Sequence, residues 1–434
     1  MNTSSWIVAA SRRQSWRAWA VGAFLFACAC GARAISLPPY TIAHLGWPGT
    51  NAGSASEAHA INQNGWVVGT WWDGASAHGS QYAFRFANGS STNLGTIKSG
   101  GYDSAVAYAV NNAGQIVGQG TTTGAYVYHA FLYTNGAMTD LDTTGQSWSS
   151  ANAINQQGQV AGEFTTSLGL IHAFMYTNGT MQDLGTLPGG TYSSAKGIND
   201  PGIIVGESSD SSGNTYAFVY SNNVMTSLGT LGGNFSSAAA INNSGIIAGQ
   251  SSLANGETHA FVFRQGVMSD LGTFGGTNSV ATAINNSGQI AGYALTASQQ
   301  AHAFLYKGST LQDLHQAFSP PAGWTNIFLT LAYGINDLGA IAGGVNYISG
   351  GLTNYEAFVL SPLPLTLTLA PPTNKRIQLT IQGFPGLNVL LLSSADLVHW
   401  TPRFTNLLSS TSIDFMDPVP ATNAARFYRA RILP

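Results

Sequence analysis

The sequence predicts an all-β chain: a seven-bladed β-propeller closed by an N-terminal strand that completes the last blade, followed by a small C-terminal β-sandwich. Three observations lead there. An Ile-Asn or Val-Asn pair recurs at Ile61, Val110, Ile154, Ile198, Ile241, Ile284 and Ile335. Each repeat supplies four short β-like runs with no room for a helix. The first copy of the fourth run stands ahead of every other element, while the last repeat ends without one. Spacings of 43 to 51 residues between the pairs suit one four-stranded blade each.

In chain order, residues 1–34 read as a secretory signal. Arg12, Arg13 and Arg17 precede the apolar run Ala18 to Cys30, and Ala32 and Ala34 offer small residues for cleavage. The run is too short for a permanent anchor. Cys28 and Cys30 are the chain's two cysteines and both lie inside it, so the mature protein is expected to hold neither a disulfide nor a Cys-ligated metal. Export to the outside follows, with the periplasm, a twin-arginine route at Ser11-Arg12-Arg13, or a lipid anchor at Cys28 as alternatives.

Residues 35–362 carry the repeats. The first run is Ala-x-Ala/Gly-Ile-Asn, as in Ala281 to Asn285, and small residues fit a strand crowded around a narrow axis. An Asn-x-x-Gly turn leads to the second run, as in Gln289 to Gly292. The third is His302 to Tyr306, and the fourth resembles Met268 to Gly272. Third runs are marked by Phe84, Phe131, Phe174, Phe218, Phe261, Phe304 and Phe358; fourth runs by Leu45, Leu94, Leu141, Leu184, Leu228, Leu271 and Leu314. Because the Leu45 copy comes first, the two chain ends share one sheet; an open solenoid would want polar caps instead.

Units built from Ala-Ile-Asn-x-x-Gly, His-Ala-Phe-x-Tyr and Asp-Leu-Gly-Thr-Leu-Gly-Gly resemble the HAF-repeat family of extracellular repeat proteins over roughly residues 40–360. The resemblance implies secretion and a repeat fold, and brings no catalytic residue with it. The chain departs from the signature at Tyr82, Tyr216 and Glu356, where His is replaced, and lacks the C-terminal sorting segment of many such proteins. Residues 363–434 read as the sandwich, from the alternating runs Leu365 to Leu369, Ile377 to Ile381 and Val389 to Leu392. Ser394 to Trp400, with Arg426 to Arg429, resembles a short module appended to many bacterial secreted proteins.

Charged residues make up only 8% of the 434. From Ile35 to Leu360 there are 15 acidic and 5 basic residues, a balance that argues against nucleic acid as a partner. No later segment is apolar and long enough to span a bilayer.

Candidate chemistry is sparse. The Asn of each Asn-x-x-Gly reads as turn chemistry. His129, His172, His259 and His302 sit on third strands, too far apart between blades for one metal, so no metal and no cofactor are expected. Glu163 and Glu207 end equivalent second runs and offer a weak carboxylate pair for glycoside hydrolysis. Connections from fourth to first and from second to third strands vary in length, so their face is the candidate binding surface. Trp47, Trp71, Trp72, Trp324, Tyr347 and Tyr102 fall there, suited to stacking on sugar rings or anchoring a partner, or to packing loops onto the ring. A variable first-strand position, His59, Tyr108, Asn152, Lys196, Ala239, Thr282 and Tyr333, either lines the channel or fills gaps between blades. The expected function is non-enzymatic binding of a polysaccharide or surface protein. The rivals are a polysaccharide-active enzyme using Glu163 and Glu207, or loop residues such as Asp73 and Asp103, and a purely structural matrix component.

Overall fold

The computed structural model describes residues 6–10, 40–45, 55–72, 81–97, 104–122, 127–142, 148–318, 320–362, 366–369, 378–382, 388–396, 398–407, 412–417 and 426–432. Apart from a strand at Trp6–Ala10, the expected signal segment and Cys28 lie outside them. Two compact units divide the chain, Ile42–Ser361 and Met1–Thr41 with Pro362–Pro434. Among the described residues all regular structure is β, apart from one 3-10 turn at Leu314–Gln316.

In the larger unit the strands pair antiparallel in groups of four, spanning 55–93, 105–140, 149–183, 193–227, 232–270 and 275–313. A last group takes three strands from 325–362 and its fourth, Tyr40–His44, from the N-terminal side. Leu45 N donates to Ala357 O at 3.0 Å, extending that pairing. Single parallel bridges, Thr215 to Phe235 and Thr258 to Asn278, join the groups beginning at 193, 232 and 275. First strands touch first strands on both sides, and Thr325–Ile335 touches Ala55–Ile61, so they encircle a common centre.

The Asn of the recurring pair makes that circle continuous. Asn62 Nδ2 donates to Asn111 O, Asn111 to Asn155 O, Asn155 to Asn199 O and Asn199 to Asn242 O, at 2.9–3.1 Å. Asn242 donates to Asn285 O, Asn285 to Asn336 O, and Asn336 returns to Asn62 O at 3.0 Å. Each amide oxygen meanwhile accepts main-chain N–H groups of its own turn, as Asn199 Oδ1 does from Ile203 N at 2.8 Å. These amides are buried and use both ends, which satisfies groups that would otherwise cost about 1–3 kcal/mol each. One residue on, a second circuit runs through main-chain donors: Gln63 to Asn112, Asn112 to Gln156, Gln156 to Asp200, Asp200 to Asn243, Asn243 to Asn286, Asn286 to Asp337, and Asp337 to Gln63. The turn motif therefore also couples neighbouring groups.

Every first strand carries a β-bulge at one place. Ala58 pairs with Gly69 and Ala60 with Val68, which leaves His59 out of the ladder; Ala151 and Gly162, then Ala153 and Ala161, leave out Asn152 in the same way. The glycine opposite is required by close approach: a Cβ on Gly162 would lie 2.0 Å from Ser150 O, and one on Gly206 1.9 Å from Ser194 O. Between sheets, the Phe of each third strand is fully buried. Hydroxyls stitch the sheets further, with Ser149 Oγ accepting from Ala130 N and Ser56 Oγ accepting from Ala357 N, both at 2.9 Å.

In the smaller unit, Thr366–Leu369, Gln378–Gln382 and Ser412–Met416 make one sheet; Asn388–Ser394, Thr401–Leu407, Arg426–Ile432 and Trp6–Ala10 make another. Leu367, Leu379 and Ile381 from the first and Val389, Leu391 and Tyr428 from the second share one apolar cluster. No helix of the described residues is long and apolar enough to cross a membrane.

Candidate functional site

The bulge fixes where the chemistry sits, because it turns the variable residue out of the ladder toward the next group. His59 Nδ1 lies 2.8 Å from Ala107 O, Asn152 Nδ2 donates to Ala195 O at 2.9 Å, and Thr282 Oγ1 donates to Ala332 O. His59, Asn152 and Thr282 thus bridge adjacent groups. The variable residues segregate by type. His59 stacks on Tyr108 at 5.5 Å and meets Tyr333 edge-on at 5.9 Å, giving an aromatic arc over the last, first and second groups. Facing it in sequence order come Asn152, Lys196, Ala239 and Thr282, which are polar or small.

Charge concentrates beside Lys196. Its ammonium is 2.9 Å from Glu207 Oε2 and 3.0 Å from Ser237 Oγ, and Tyr192 OH donates to Glu207 Oε1 at 3.0 Å. Burial alone would raise the Glu207 carboxyl, but the Lys196 ammonium, with hydrogen bonds from Lys196, Ser237 and Tyr192, holds it below the usual carboxylate range. Glu163 goes the other way: burial pushes its carboxyl up and Glu207 adds to this, outweighing Ser194, Lys196 and Asn152. Burial, aided by Glu163, also pushes the Tyr108 phenol up to about 12. Lys196 keeps 34% of its side-chain surface in solvent and Glu207 only 13%, so Lys196 is the more exposed member of the pair.

A second polar knot lies where the last group meets the first. Tyr355 and Tyr333 hydroxyls hydrogen-bond the Glu57 carboxylate, and His59 Nε2 lies 3.4 Å from it. Burial raises that carboxyl, and these partners more than reverse the effect. The opposing second-strand position is Gly344, where a Cβ would lie 2.3 Å from the Tyr355 hydroxyl. An absent side chain makes the room for this knot.

The aromatic residues expected at the variable connections divide. Trp324 and Tyr347 come together as a parallel stack, centroids 3.7 Å apart at 9°, with His44 5.6 Å from the indole. Trp324 is half-buried and Tyr347 buried beneath it. Trp71, Trp72 and Tyr347 differ from expectation, since they belong to the second strands Val67–Trp72 and Ile341–Ser349 and not to the loops after them. Successive strand residues face opposite ways. Trp71 is accordingly buried, stacked on Tyr82 at 4.5 Å within an apolar cluster, while Trp72 stays half-exposed at the strand end. Trp47, Tyr102, Asp73 and Asp103 lie outside the described residues.

The third-strand histidines pair within their own sheets. His129, His172, His259 and His302 place Nδ1 2.9–3.0 Å from Asp140, Asp183, Asp270 and Asp313 of the fourth strand. Those aspartates also cap the turn that follows, as Asp270 Oδ1 does by accepting from Gly272 N. In the last group the pair is inverted, with Glu356 on the third strand and His44 on the fourth at 3.4 Å. Where Tyr82 and Tyr216 replace His, Asn93 and Ser227 replace Asp. The departures from the repeat signature are thus paired changes. The bulge and the inverted pair were not foreseen; their traces in the sequence are the second-strand glycine and the joint replacement of His and Asp.

No family model matches the chain, and neither does any curated protein. Among solved structures it is similar to TolB from Acinetobacter baumannii, at 14% identity and TM-score 0.36, over 58% of this chain and 64% of that one. It is similar to a triple mutant of AofleA from Arthrobotrys oligospora, at 10% identity and TM-score 0.32, over 88% and 93% of the two chains. A third is a point mutant of Aleuria aurantia lectin in complex with Fucalpha1-6GlcNAc, at 12% identity and TM-score 0.33, over 82% and 96%.

Proposed function

We propose that the chain is an exported repeat protein of the HAF type, a seven-bladed β-propeller over 35–362 with a C-terminal β-sandwich, and that it binds carbohydrate without transforming it. One observation carries the binding reading: aromatic residues occupy one arc of the centre, and Lys196, Asn152 and Thr282 the other. A pyranose has apolar C–H faces that stack on aromatic rings and a hydroxyl rim that hydrogen-bonds with charged and polar groups. Tyr192, which leads into its first strand from the variable connection, extends the polar arc toward that end of the ring. The half-buried Trp324, held flat by Tyr347, offers a second stacking surface.

The test is a glycan panel with protein beginning at residue 35. Lys196→Met and Tyr108→Ala are expected to weaken binding at least about tenfold, roughly 1.4 kcal/mol. Loss confined to Trp324→Ala would move the site to the variable connections; no binding to any glycan would remove the reading. A second reading, polysaccharide hydrolysis, rests on the opposite displacement of the Glu163 and Glu207 carboxyls, which suits an acid and a base. Release of reducing ends that Glu163→Gln abolishes would establish it.

A further inference from the structure

One carboxylate in the sixth group organises two histidines, an arrangement that no other group shows among the described residues. Asp313 Oδ2 lies 2.9 Å from His302 Nδ1, while Asp313 Oδ1 accepts from the main-chain N of His315 at 2.8 Å. The two imidazole rings are 4.8 Å apart, centroid to centroid, and Phe328 stacks on His315 at 5.5 Å. His302 Nε2 and His315 Nδ1 are both buried and have no hydrogen-bond partner. At the position of His315 four other groups hold a left-handed glycine, Gly95, Gly185, Gly229 and Gly272, and the second group holds Asp142; here the chain forms the 3-10 turn Leu314–Gln316 around an imidazole.

We propose that His302 and His315 bind one divalent transition-metal ion, of the imidazole-preferring kind such as Cu2+ or Zn2+, through His302 Nε2 and His315 Nδ1. A metal-bound histidine commonly donates its other ring N–H to a carboxylate, which fixes tautomer and orientation. Asp313 is placed to do this for His302, and in the neutral ring a proton held on Nδ1 leaves Nε2 free to ligate. With metal–nitrogen bonds of about 2.0 Å and a ring centre about 1.2 Å behind each nitrogen, ligand angles from about 90° to 109° put the centroids about 4.5 to 5.2 Å apart. The observed separation falls inside that interval. Among the described residues no group of three or more His, Cys, Asp or Glu is arranged around a metal, so the remaining positions belong to water or to an exogenous ligand. His315 would supply the second ligand within one group.

The test uses the untagged full chain, stripped with chelator and titrated calorimetrically with Cu2+ alone and Zn2+ alone. One equivalent is expected, with Cu2+ tighter, following the usual order for nitrogen ligands. His315→Gly, which installs the residue most other groups carry, and His302→Gln are each expected to weaken binding at least about tenfold, about 1.4 kcal/mol. His259→Gln removes an equivalent histidine that has no second imidazole beside it and should leave affinity unchanged. Absence of binding, or equal binding by wild type, His315→Gly and His302→Gln, overturns the proposal. Should His315→Gly fail to fold, His302→Gln alone decides the matter. Glycan binding is scored separately on metal-free protein, so either reading can fail without the other.

Discussion

Glu163 and Glu207 occupy equivalent positions on adjacent sheets, yet their carboxyls are displaced in opposite directions. For Glu207, the unfolded chain binds the proton more tightly than the folded one. Its contribution to stability is therefore present above the ordinary carboxylate range and is lost as pH falls through the depressed value. For Glu163 the folded chain binds the proton more tightly, so its contribution is present below the ordinary range and is lost as pH rises through the raised value. Urea unfolding across pH 3 to 8 should accordingly show Glu207→Gln removing part of the acid-side loss and Glu163→Gln removing part of the loss on the other side. Parallel pH profiles for wild type and both variants would contradict this assignment. The acidic position was legible in the sequence, but the opposite displacements were not. They depend on Lys196, which the bulge aims at Glu207, and a bulge is a property of two strands in register.

Strands show the same limit. The Asn-x-x-Gly turn, the Phe of the third strand and the displaced first copy of the fourth strand were readable because each follows from local chemistry repeated along the chain. Trp71 was placed on a loop because nothing in the sequence marks where Val67–Trp72 ends; two more paired residues send one indole inward and leave the next half-exposed. The fourth strand of the last group gives a test at this scale. His44 and Glu356 hold the inverse of the arrangement in four other groups, so Glu356→His with His44→Asp should restore the common form. In a double-mutant cycle each single change should lower stability, and the pair should recover about 0.5–1 kcal/mol of coupling, small because His44 is exposed. Strict additivity would mean that the two residues do not interact.

Across the larger unit, both hydrogen-bond circuits return to their starting group, through Asn336 to Asn62 and Asp337 to Gln63. Their geometry is set jointly by all the groups taking part. Removing one whole repeat, residues 199–241, keeps every local motif but asks the remaining groups to close over fewer steps. Calorimetry of that deletion should show either no cooperative transition or a melting temperature lower by about 10 °C or more, a shift worth several kcal/mol for a unit of this size. An unchanged transition would show that the circuits follow the packing and do not constrain it. The repeat alignment marks the variable first-strand position but leaves open whether it lines the centre or fills gaps between groups; the aromatic and polar arcs emerge once the last group is a neighbour of the first.

A circuit has no first member. The step from Asn336 to Asn62 uses the same donor and acceptor as every other, at 3.0 Å within their 2.9–3.1 Å range, so the place where the polypeptide is cut leaves no mark on these bonds. Ends rejoined across the Tyr40–His44 strand and reopened between two other groups would present the same closed loop of amides. The order of repeats in the gene is then one of several equivalent spellings of a single object.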